Sequence, residues 1–73
     1  MNDIGRFLRQ YRIKHNMLLR DMAEAMGVDS AWLSSIEHGR RAIPTDFSEM
    51  VTSTFKLSQL ELRDLKNALE DSK

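Results

Sequence analysis

The chain has 73 residues, 41% of them hydrophobic and 30% charged, with 11 basic against 11 acidic side chains and no cysteine. That length allows one domain, 1–73, held by mostly local helical contacts. The composition excludes a disordered chain, a disulfide framework and a thiolate metal site.

No apolar run approaches a membrane span and the amino terminus lacks a signal-peptide pattern, so a cytoplasmic protein without membrane contact is expected. No cofactor is expected either. His15 and His38 are too few for a zinc site by themselves, and there is no glycine-rich phosphate loop. Zero net charge argues at first against nucleic acid, but the charge is unevenly spread. Residues 1–41 hold seven Lys/Arg against five Asp/Glu, and residues 42–73 hold four against six. This mild bias permits binding to a polyanion without requiring it.

A first helix is predicted over about 3–15, capped by Asn2 or Asp3. Ile4, Phe7, Leu8 and Tyr11 share one of its faces. A second runs over about 18–26, with Leu19, Met22, Ala23 and Met26 inward. Gly27 supplies the left-handed residue that closes it, and Asp29 or Ser30 caps a third helix over 30–38, ended by Gly39. After the basic loop Arg40-Arg41-Ala42-Ile43-Pro44, a fourth helix is predicted over 45–55, carrying Phe47, Met50, Val51 and Phe55. A fifth, over 58–71, opens with Ser58 and Glu61 at capping-box spacing. No segment alternates as a strand. The fold class is therefore all-α, with a helix-turn-helix between the second and third helices.

Residues 4–57 resemble the Cro/repressor-type helix-turn-helix family (XRE, lambda-repressor-like). The resemblance rests on Asp21-Met22-Ala23, Gly27-Val28, Leu33-Ser34 and Ile36-Glu37-His38-Gly39-Arg40, together with Arg12 and Pro44. It implies a five-helix lambda-repressor-like domain whose third helix enters the DNA major groove. It also implies a largely buried ion pair between Arg12 and Glu37. The residues themselves allow that pair, since each adjoins apolar neighbours, and equally allow two solvated charges.

The family places Ser30, Ala31 and Ser35 at base edges. Serine hydroxyls discriminate bases weakly, and Ala31 can pack on a thymine methyl. Ser34 can reach phosphate. Trp32 either packs on the core or gives its indole N–H to a phosphate. His38 suits the carboxyl-terminal pole of its helix and stands at the same DNA-facing end. Arg40 and Arg41 suit phosphate, with a minor groove as an alternative for Arg41. One departure stands out: the family often has a phosphate-binding glutamine where this chain has Leu19. The backbone amides of Leu18, Leu19 and Arg20, with the Arg20 side chain, are the expected substitutes.

These residues point to a transcriptional repressor that binds double-stranded operator DNA as a homodimer. Of the leucines Leu57, Leu60, Leu62, Leu65 and Leu69, which cannot all face one side of a helix, some either form its self-contact with Phe55 or simply close the core. The alternative is an antitoxin that neutralises a toxin partner and represses its own operon. No arrangement of residues supports catalysis, so the chain is not expected to be an enzyme.

Overall fold

The computed structural model describes residues 2–71; Met1, Ser72 and Lys73 of the expected domain lie outside them. Five helices follow in order: α1 (Asp3–Lys14), α2 (Leu19–Met26), α3 (Ser30–Glu37), α4 (Phe47–Thr54) and α5 (Gln59–Asp71). No strand occurs among the described residues. This is the all-α lambda-repressor-like architecture.

The ends of the first three helices share one device. Asn16, Gly27 and Gly39 take φ values of 57°, 73° and 73°. After each, the chain turns back and its amides reach carbonyls of the helix just left. Met17 N–H donates to Arg12 O (2.8 Å), Val28 N–H to Ala23 O (3.0 Å) and Arg40 N–H to Ser35 O (2.9 Å). A shorter bond sits inside each: Asn16 to Ile13, Gly27 to Glu24, Gly39 to Ile36. These are Schellman turns, which satisfy carbonyls that a helix end would otherwise leave unpaired.

The fourth helix is shorter than its apolar pattern predicts. It begins at Phe47 rather than residue 45 because Thr45 and Asp46 are spent in a turn, closed by Phe47 N–H donating to Pro44 O (3.1 Å). It stops at Thr54, and Phe55 is extended (φ −118°, ψ 134°). Thr54 Oγ1 and Ser53 Oγ both donate to Met50 O (2.7 and 3.2 Å), so hydroxyls compete with the backbone at that end. The fifth helix opens on the expected capping box. Ser58 Oγ accepts from Glu61 N–H (3.1 Å) and Glu61 Oε1 from Ser58 N–H (2.9 Å).

The core collects one or more residues from every helix. Ile4, Leu8, Met22, Leu33, Ile36, Phe47 and Leu65 are fully buried, with Val51 nearly so. Each such side chain contributes about 1.5–3 kcal/mol by leaving water. Phe55 and Leu65 belong to this core, and Leu57 packs against it. Phe55 and Leu65 are therefore unavailable to the expected self-contact, whereas Leu57 and Leu69 are only partly buried. For Phe55 the reason is that its extended backbone swings the ring onto Tyr11, with centroids 5.1 Å apart.

α1 and α5 are joined where the end of one meets the start of the other. Glu61 Oε2 receives Lys14 Nζ at 3.2 Å and lies 3.4 Å from His15 Nε2. The Ser58 amide and these two side chains lower the Glu61 carboxyl pKa to about 2, against an opposing effect of burial. Burial and the Glu61 charge both raise the pKa of Tyr11.

Candidate nucleic-acid interface

α1, α2 and α3 form a unit closed by polar contacts. The Arg12 guanidinium forks onto Glu37: Nη1 donates to Oε2, and Nη2 to Oε1 at 3.2 Å. The same Nη1 lies 3.6 Å from Met22 Sδ. Glu37 is the buried charged residue of the core, 2% exposed, so its carboxylate depends on this fork. The pair implied by the resemblance is thus present, with Met22 as a neighbour that spacing alone does not reveal.

Asn2 supplies a second closure. Its Oδ1 accepts from Gly5 N–H (2.7 Å) and caps α1, while its Nδ2 donates to Ile36 O (3.1 Å) and its backbone N–H to Glu37 O (3.3 Å). One side chain therefore starts the first helix and holds the last turn of the third. The sequence marks Asn2 as a cap, but its reach to α3 has no signature in the pattern.

On the outer side of α3, Ala31 is exposed and Ser30, Ser34 and Ser35 are half-buried. Trp32 leans inward, its ring centroid 6.5 Å from that of Phe47, which fits the packing alternative. His38 turns back along the helix: Nδ1 lies 2.8 Å from Ser34 O, the geometry of a donor to a terminal carbonyl. Ser35 is committed on both sides, donating to Trp32 O (2.7 Å) and accepting from Arg41 Nε (3.3 Å). That brings Arg41 back beside α3, while Arg40 stays exposed in the loop.

The start of α2 differs from the expectation in one respect. Leu18 is its N-cap residue and lacks a side-chain acceptor, so Asp21 Oδ2 takes the Leu18 amide at 3.1 Å. Only the amides of Leu19 and Arg20 are left from the expected three. Asp21 also places a negative charge at that pole. Leu19 itself packs against the core, and Arg20 is exposed.

No helix among the described residues is long and apolar enough to cross a membrane. The family model described as a helix-turn-helix domain matches residues 3–67. The chain is also 35% identical over 68 residues to the HTH-type transcriptional regulator SinR of Bacillus subtilis (strain 168). That match covers 92% of this chain but 61% of the relative's length. No solved structure gives a significant match. With a five-helix fold, Schellman turns on both sides of α3 and a buried Arg12–Glu37 pair, the chain belongs to the Cro/repressor-type helix-turn-helix family.

Proposed function

We propose that this protein is a DNA-binding transcriptional regulator, acting as a repressor on a two-fold operator. The observation that carries the reading is the α3 outer face. Ser30, Ala31 and Ser34 line it, Arg40 and Arg41 flank it, and its helix is held at its carboxyl-terminal end by Asn2 and by the Arg12–Glu37 pair. A rigid support is what base recognition needs, since a contact misplaced by a fraction of an ångström loses its selectivity. The similarity to a transcriptional regulator supports the same conclusion.

Arg20, Arg40 and the amides of Leu19 and Arg20 are the phosphate contacts in this reading. Ser30 and Ala31 face the bases, and Ser34 and His38 lie nearer the backbone. The salt dependence follows from the phosphates that these contacts neutralise, not from the net charge of the chain.

The homodimer would use the groove between the 42–45 loop and α5. Its volume is about 1110 Å³, and Ile43, Pro44, Leu62 and Leu69 supply its apolar lining. Arg63, Lys66 and Glu70 stand along it with both signs of charge. A second copy related by a two-fold axis could pair the basic residues of one with the acid of the other. Sedimentation of the wild type and Leu69→Asp at micromolar concentration tests this: dimer and monomer, respectively, are expected.

Fluorescence anisotropy with DNA from upstream of its own gene, over a range of salt, tests the main reading. Salt-sensitive, sequence-preferring binding is expected, and its absence would remove the reading. Co-purification of a small partner protein without DNA binding would favour the antitoxin alternative instead.

A further inference from the structure

Arg41, Ser35 and Asp29 share a shallow depression of about 490 Å³ on the outer side of α3, with Val28, Ala31 and Trp32 as its apolar lining. Ser35 holds Arg41 there through Nε (3.3 Å), and its own proton goes to Trp32 O (2.7 Å). The Ser35 hydroxyl therefore has no proton left to offer a base. Arg41 makes no ion pair among the described residues, so Nη1 and Nη2 stay free as a fork. Asp29 is exposed, and as N-cap residue of α3 it makes no side-chain capping bond.

We propose that Arg41 is the specificity-determining residue of this interface and that Ser35 positions it. The Arg41 fork takes the O6/N7 edge of a guanine in the major groove. Ala31 and Val28 seat the 5-methyl group of a neighbouring thymine. The proposal rests on the DNA-binding reading above and names the ligand of that face.

The make-up of the depression decides between a base edge and a phosphate. A phosphate contact needs donors and makes no use of an apolar lining. Here a carboxylate and an apolar lining share the depression with the arginine. A base edge presents acceptors, amino donors and methyl groups side by side, and this mixture matches it. Asp29 can accept from a cytosine N4 amino group, as Arg41 donates to guanine. The placement also explains why a loop arginine is drawn back along α3. Ala31 and Ser35 are one helical turn apart on the same face, so the guanidinium held by Ser35 lies alongside the base-facing residues.

The test is in vitro selection of bound DNA by the wild type, Arg41→Ala, Arg41→Lys, Ser35→Ala and Ser35→Thr, each checked for helical content. The wild type should select a guanine beside a thymine in each half-site. Arg41→Ala should lose that guanine, with discrimination falling by about 5- to 150-fold at that base pair, and Arg41→Lys should fall between it and the wild type, since an ammonium reaches the same edge without the planar fork. Lysine keeps the charge, so its salt slope should match the wild type. Ser35→Ala should relax the same base pair, and Ser35→Thr should restore it.

Uniform weakening by Arg41→Ala, with a salt slope reduced by about one, would mark a phosphate contact and overturn the proposal. Relaxation at a different base pair in Ser35→Ala would overturn the positioning role. A wild type with no sequence preference would instead overturn the DNA-regulator reading itself.

Discussion

Arg12 and Glu37, 25 residues apart in sequence, form a two-point contact that ties α1 to the last turn of α3. The Glu37 side chain is 3% exposed and that of Arg12 is 11% exposed, so water cannot replace either partner. Arg12→Ala and Glu37→Ala should each cost about 3–5 kcal/mol, because each leaves a buried charge unpaired. The double variant Arg12→Met with Glu37→Leu should lose less than either single change. Urea denaturation of the three variants checks the ordering.

Glu61 makes stability depend on acid. Its pKa is lowered to about 2 in the folded chain, against an ordinary value of 4.5. A lowered carboxyl pKa contributes stability that is fully present above the unfolded value and fades as pH falls through the folded one. The loss should therefore run from about pH 4.5 to about pH 2. Glu61→Gln should be less stable than wild type at pH 7, and the gap should close across that window. Thermal melts at pH 7, 4 and 2 follow it directly.

Gly27 sits at φ +73°, and a Cβ built there would meet nothing within 4 Å. The cost of Gly27→Ala is therefore conformational alone, about 1–2 kcal/mol for a left-handed residue with a side chain. Gly27→Asn should cost less, since asparagine tolerates that region and already occupies it at Asn16. The melting temperatures should rank Gly, Asn, Ala from high to low, with unchanged helical content.

Asn2 joins two elements with different atoms, and substitutions can separate the roles. Asn2→Asp keeps the acceptor for Gly5 N–H but loses the donor to Ile36 O. Asn2→Ala loses both and should cost at least the usual 0.5–2 kcal/mol, roughly, of a missing cap. With Asp, amide exchange should rise at the end of α3 while the start of α1 stays protected. With Ala, both should rise.

Much of the fold is legible in the sequence because its signals are local. Gly27 and Gly39 mark helix ends that a left-handed residue closes, and Ser58 with Glu61 marks a cap at fixed spacing, whereas the left-handed turn at Asn16 follows only from the structure. Leu19, Met22 and Ala23 show an inward face. The start of α4 is less legible: Pro44 permits a helix at once, but the Phe47–Pro44 bond inserts a turn that no residue pattern announces. The interface is harder still to read. Ser35 and Arg41 look like separate contacts until the turn at Gly39 brings one back to the other. Asp21 reads as a solvated acid, though it takes the amide of Leu18, whose side chain offers no acceptor.

The Asn2 clip also bears on where a label can be placed. A Cβ at Gly39 would lie 3.7 Å from Asn2 Nδ2, so the start of α1 adjoins the turn that leads into Arg40 and Arg41. A tag or fluorophore joined ahead of Asn2 would emerge at the rim of the proposed DNA surface and compete for its space. A fusion after α5 leaves this rim open but begins beside Leu69 and Glu70, so it would crowd the proposed self-contact instead.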